Sequence, residues 1–97
     1  MMNEFTTGGY VLAKSGHDKG KYYVIFHTDN EYVYLVDGRI RTMDRPKRKK
    51  RMHVIMLAQI DQTLADKVNN KSIKNEEIKR AIKLLQYANS SMEGKSS

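Results

Sequence analysis

The chain has 97 residues, with 18 Lys and Arg against 11 Asp and Glu, a formal net charge of +7 and no cysteine. This length favours one small domain without room for an elaborate catalytic cleft, and the lack of cysteine excludes disulfides and thiolate metal sites. Because no apolar run approaches the ~18 residues of a membrane span and the start lacks the layout of a secretory signal, we expect a cytoplasmic protein without membrane contact.

Residues 1–58 carry the pattern of short β-strands separated by turn residues. Val, Ile, Tyr and Phe crowd most of the strand segments, while Gly, Asp and Asn fill the breaks. Asp37-Gly38 is the strongest turn signal, because this pair suits the positive φ angles of a two-residue hairpin turn. The predicted strands are residues 9–14, 21–28, 32–36, 39–43 and 53–57. Five short strands with short connections predict a small antiparallel barrel.

Residues 59–90 show the period of helices instead. Residues 60–68 predict a short amphipathic helix behind an Asp61 cap, and residues 75–90 predict a longer one that Asn75 can cap. The apolar stripe of the longer helix consists of Ile78, Ala81, Ile82, Leu85 and Ala88. The stripe most simply covers the barrel, with a partner protein or a membrane surface as alternatives. Residues 91–97 are predicted to be a disordered tail.

The positive charge is concentrated in residues 39–51. Eight basic residues and one acid lie there, whereas the rest of the chain sums to zero. Such a focused patch is typical of proteins that bind phosphate backbones. Because Pro46 marks a loop and the run Lys47 to Arg51 lies between two predicted strands, we expect a loop at the barrel rim. A disordered tail or a nuclear import signal is less favoured.

A second candidate phosphate site is the loop that contains Gly16 and Gly20. Both glycines allow positive φ angles, and Lys14, Lys19 and Lys21 place cations beside the loop amides. The alternative is that the glycines only turn the chain between two strands.

The tyrosines of the predicted strands have two interpretations. Most are expected to pack in the core, because tyrosine buries its ring while its hydroxyl stays hydrated. Others stack on unpaired bases, and Tyr22 and Tyr23 are the best candidates because they follow the glycine loop.

No residue pattern supports catalysis. Ser15, His17 and Asp18 supply the residue types of a triad, but three neighbours in one turn rarely reach its geometry. The histidines lack metal-site spacing, and no pair of carboxylates stands in an apolar setting. We therefore expect no enzyme activity, no metal, no cofactor and no small-molecule substrate.

The segment VLAKSGHDKGKYYVIFHTDNEYVYLVDGRIRTMDRPKRKKRMHVIML, residues 11–57, resembles the KOW-motif proteins. It is most similar to small bacterial KOW-domain RNA-binding proteins related to a large-subunit ribosomal protein of archaea and eukaryotes. The resemblance rests on SGHDKGK between two apolar strands, VDG, a basic segment with Pro-Lys, and a closing His53. It implies a five-stranded SH3-like barrel, RNA binding, and association with ribosomes or ribosomal RNA.

The sequence therefore predicts a mainly β protein, a five-stranded SH3-like barrel with one short and one longer C-terminal helix. It is expected to bind structured RNA, most simply ribosomal RNA, through phosphate contacts. The predicted RNA-binding residues are Lys14, Gly16, His17, Lys19, Gly20, Lys21, Tyr22, Tyr23, Arg39, Arg41, Arg45, Lys47, Arg48, Lys49, Lys50 and Arg51. The alternative is a protein-binding barrel that docks on the transcription or translation machinery.

Overall fold

A computed structural model of the chain describes residues 5–95, and their side chains as far as residue 89. The elements are β1 (Tyr10–Ala13), β2 (Tyr22–Thr28), β3 (Tyr32–Val36), β4 (Lys47–Lys50), β5 (Val54–Met56), α1 (Gln62–Asn69) and α2 (Asn75–Lys95). The prediction of a mainly β fold followed by two helices is thus confirmed. In the described part of the chain, neither helix has the length and apolarity needed to cross a membrane.

The five strands form one antiparallel sheet in the order β4-β3-β2-β1-β5. Within residues 5–95, β4 and β5 are the two edges and do not pair with each other, so the sheet is not closed. Asp18 in the β1–β2 loop nevertheless reaches Lys47 on the edge strand β4. This contact across the strands indicates that the sheet is curled.

Strands β1, β2 and β3 carry buried residues on both faces of the sheet, which explains why their sequences show no clean alternation of apolar and polar residues. The inner face of the curl carries Val11, Ala13, Tyr23, Ile25, Val33, Leu35 and Val54. The outer face carries Tyr10, Val24 and Val36, which pack with Leu64, Val68, Ile73, Ile78, Ile82 and Leu85 of the helical region. The helices therefore cover the sheet with the predicted apolar stripe, although Ala88 is exposed.

The helix starts agree only in part with the sequence. Asp61 caps α1 as predicted, since its carboxylate accepts a hydrogen bond from the Leu64 amide at 3.1 Å. The prediction that Asn75 caps α2 is wrong, because the Asn75 side chain accepts a hydrogen bond from the amide of Met43 in the β3–β4 connection. The carboxylate of Glu77 accepts from the Lys74 amide at this end instead. Helix α2 continues to Lys95, past its predicted end at residue 90.

The predicted fourth strand, residues 39–43, is wrong, and so is the two-residue hairpin before it. The Asp37 carboxylate accepts hydrogen bonds from the amides of Arg39 and Arg41, which closes a turn where a strand was expected. Gly38, at φ +78°, lies against the start of α2, where an added Cβ would collide with the Asn75 carbonyl oxygen. The chain then reaches β4, so the fourth strand is the basic run itself.

Candidate nucleic-acid interface

The basic run, predicted to be a loop, is divided by strand geometry into two sets of side chains. Successive side chains of a strand point to opposite faces of the sheet. Lys47 and Lys49 point to the inner side, where their side chains are only 26% and 13% exposed. Arg48 and Lys50 are exposed on the outer side.

Asp18 of the β1–β2 loop holds the inner pair of lysines. Its Oδ2 lies 2.9 Å from Lys47 Nζ and 3.9 Å from Lys49 Nζ, and Lys49 Nζ also donates to the Ser15 carbonyl. Burial opposes the ionisation of Asp18, but the hydrogen bond from Lys47 and the charges of both lysines outweigh it, so the pKa of Asp18 is lowered. These contacts join the glycine loop to β4, and we assign both lysines to the fold.

Tyr23, a predicted base-stacking residue, is 2% exposed and belongs to the inner core. Its hydroxyl lies near the carboxylate of Asp18. Burial, followed by the charge of Asp18, raises the pKa of Tyr23 to about 12. The ring cannot stack on a base, and its role is to support the carboxylate that anchors β4.

Arg51 is likewise engaged by the fold. It begins the 3-10 turn Arg51–His53, and its Nη2 donates to Thr28 Oγ1 at 2.9 Å. Its guanidinium carbon lies 5.2 Å from the centre of the Phe5 ring. With these partners Arg51 closes the end of the β4 edge instead of facing solvent, which corrects its predicted place in an exposed loop.

The glycine loop adopts the positive φ angles expected of it, +79° at Gly16 and +88° at Gly20. Its amides are used inside the loop, because Lys19, Gly20 and Lys21 donate to the carbonyls of Gly16, Ala13 and Asp18. Those three amides therefore do not form the predicted phosphate cradle. The loop instead presents side chains, and the exposed ones belong to Lys14, His17, Lys19 and Lys21.

A cleft of about 490 Å³ gathers cations from three parts of the chain. Lys21 follows the glycine loop, Arg39 lies in the β3–β4 connection, and Lys79 and Lys83 lie on α2. Asp37 is the carboxylate among the lining residues, and its Oδ1 accepts hydrogen bonds from the amides of Arg39 and Arg41. Four cationic residues thus line one cavity together with a single carboxylate.

Two of these cations, Lys79 and Lys83, are not among the residues that the sequence predicts for RNA binding. Their spacing of four residues places them on the same side of α2. That side faces the cleft. The predicted residue Tyr22 also lines the cleft, where it is half-buried and its hydroxyl accepts a hydrogen bond from Asn89.

The remaining predicted residues lie in the β3–β4 connection. Arg45 is exposed and Arg41 is half-buried. Neither makes an ion pair within residues 5–89. Arg45 therefore adds to the free positive charge beside β4, whereas Arg41 mainly closes the turn through its backbone.

No protein-family model and no curated protein matches this chain. The charges and the geometry of the chain itself therefore carry its functional assignment.

Proposed function

We propose that this protein is a non-enzymatic RNA-binding protein that contacts the phosphates of structured RNA. The observation that carries the proposal is the cleft, which Lys21, Arg39, Lys79 and Lys83 line together with the single carboxylate of Asp37. Cations gathered from separate elements create a positive potential that a phosphate backbone neutralises on binding. Arg45, Arg48 and Lys50 extend this charge along the β4 side of the molecule.

Recognition is proposed to depend on the shape of the RNA. Lysine and arginine contacts to phosphates fix position and orientation but carry little sequence information. Folded RNA presents closely spaced phosphates that a cleft with several cations fits better than an isolated charge does. The turn around Asp37, which packs on α2 through Gly38, holds Arg39 at a fixed place in this cleft.

The proposal includes the identification of the sheet as an SH3-like barrel of the KOW type. The antiparallel order, with β1 between β2 and β5, supports it, and so does the curl that brings Asp18 to β4. With the resemblance of residues 11–57, this favours a cytoplasmic protein that associates with ribosomes through ribosomal RNA.

The test is the salt dependence of binding to a folded ribosomal RNA fragment. Changing both Arg39 and Lys83 to Gln should weaken binding and lower the log-log salt slope by about 0.7 to 0.9 for each lost contact. The matched control changes Lys74 and Arg80 to Gln, because these cations do not line the cleft. An unchanged slope in the first variant would overturn the assignment of the cleft.

The ribosome association is tested by sedimentation of a cell extract through sucrose. The protein should travel with a ribosomal subunit at low salt and leave it at high salt, since phosphate contacts are weakened by ions. Crosslinked adducts should be lost on nuclease treatment. Protein adducts that survive nuclease would instead favour a protein-binding module.

A further inference from the structure

The helices leave one end of the outer sheet face uncovered, and this end carries aromatic and basic side chains. Val36 of β3 packs with the helices, but Tyr34 and Tyr32, further along the same face, do not belong to that core. Across the ladder, Tyr34 pairs with Arg48 and Tyr32 pairs with Lys50. We call His27, Tyr32, Tyr34, Arg48 and Lys50 the aromatic strip.

A β-bulge brings His27 to this face. The β2–β3 register shifts between Ile25 and His27, so that His27 pairs with Tyr34. A bulge of one extra residue reverses the faces to which the following side chains point. The rings of His27 and Tyr34 are consequently neighbours, with centroids 5.2 Å apart and an interplanar angle of 42°.

The ring of Tyr34 is held in place by Asp29. The Tyr34 hydroxyl donates to Asp29 Oδ2 at 3.3 Å, and Asp29 Oδ1 accepts from the amides of Glu31 and Tyr32. The carboxylate is therefore bonded on both oxygens. Its contacts fix the aromatic side chain before any ligand arrives, which reduces the ordering cost of binding.

The cations of the strip are placed beside the rings. The Arg48 guanidinium carbon lies 4.6 Å from the centre of the Tyr32 ring, while Arg48 and Lys50 both remain exposed. Within the described side chains neither makes an ion pair. A half-buried aromatic surface bordered by free cations fits a ligand that offers both flat apolar faces and negative charge.

We propose that the aromatic strip binds unpaired nucleotides of the RNA. A base stacks on the Tyr34 and His27 rings, and the flanking phosphates contact Arg48 and Lys50. This combination is the usual design for single-stranded nucleic acid, because every base has a π-face and every linkage carries a charge. The inference rests on the proposed RNA binding and adds the class of RNA, a folded RNA with an exposed loop.

The experiment compares two labelled RNAs with equal numbers of phosphates, a stem with an unpaired loop and a fully paired duplex. The native protein should prefer the looped RNA. The change Tyr34→Leu should weaken binding of the looped RNA by about 5- to 150-fold per lost stacked base and leave duplex binding and the salt slope unchanged. Tyr34→Phe, which keeps the ring and loses only the hydroxyl, should retain the preference.

The outcomes separate the two proposals. If both RNAs bind equally well to the native protein and to Tyr34→Leu, the strip does not bind bases, whereas phosphate binding stands. If neither RNA binds, both proposals are overturned. Arg48→Gln should weaken the binding of both RNAs and lower the salt slope by about one. If this variant binds both RNAs as tightly as the native protein does, the proposed role of the strip is also rejected. Thermal unfolding of each variant checks that it is folded.

Discussion

The two faces of β4 carry the same charge in different surroundings. On the inner face, Lys47 and Lys49 meet the carboxylate of Asp18 and are largely shielded. On the outer face, Arg48 and Lys50 have no acidic partner among the described side chains and stay exposed. A run of five cations is thus not one functional unit, because the alternation of the strand divides it into cations that stabilise the fold and cations that are free to bind.

The largest expected effect is on stability. Changing both Lys47 and Lys49 to Gln should lower the free energy of unfolding by about 1 to 3 kcal/mol, because Asp18 is left partly buried without cations. The matched change of Arg48 and Lys50 to Gln should alter the free energy of unfolding by no more than about 0.5 kcal/mol. Urea unfolding measures both, and equal losses would remove the distinction between the faces.

A smaller effect, about 1 kcal/mol, is expected for Tyr23→Phe, which removes the hydroxyl beside the Asp18 carboxylate. The folded-state pKa of Tyr23 is raised, so the stability linked to its proton is fully present below the ordinary tyrosine pKa of about 10. It is lost as the pH rises toward about 12. Urea unfolding over this range should show the decline in the native protein, and a similar decline in the variant would reject the assignment.

The smallest effect is expected in acid, because the burial of Asp18 offsets part of what its lysines contribute. Its folded-state pKa is lowered, so its contribution is present above the unfolded value of about 4 and is lost as the pH falls through the folded value. The difference in unfolding free energy between native protein and Asp18→Asn should therefore shrink in acid. A difference that is constant with pH would contradict the role of the ionised carboxylate.

Four strands were predictable because each is an apolar segment bounded by turn residues, and both helices were predictable because their apolar residues recur with a helical period. Strand β4 was not predictable, since lysine is disfavoured in strands and its inward lysines depend on Asp18, which is distant in sequence. The fourth strand was predicted at residues 39–43 instead, where Ile40 is the apolar residue. Ile40 lies in a turn and is 74% exposed.

The residues of the candidate site were predictable where local charge identifies them, but not where the packing of distant elements brings them together. Lys21 and Arg39 were identified by local charge, but only the docking of α2 brings Lys79 and Lys83 to them. Alternation separates Tyr22 from Tyr23 without showing which of them is in the core, because β2 carries buried residues on both faces of the sheet. His27 lies on the outer face of the sheet because of a β-bulge, and no residue type in the sequence predicts that bulge.

Strand β4 is also an edge strand of the sheet, and its unpaired backbone groups can pair with a strand of another copy of the chain. Charged side chains along the strand and Pro46 just before it oppose that pairing through repulsion and the loss of an amide donor. The same cations thus protect the protein against aggregation. Mutations that weaken polyanion affinity by neutralising Arg48 and Lys50 should also reduce solubility, so selection on one property constrains the other.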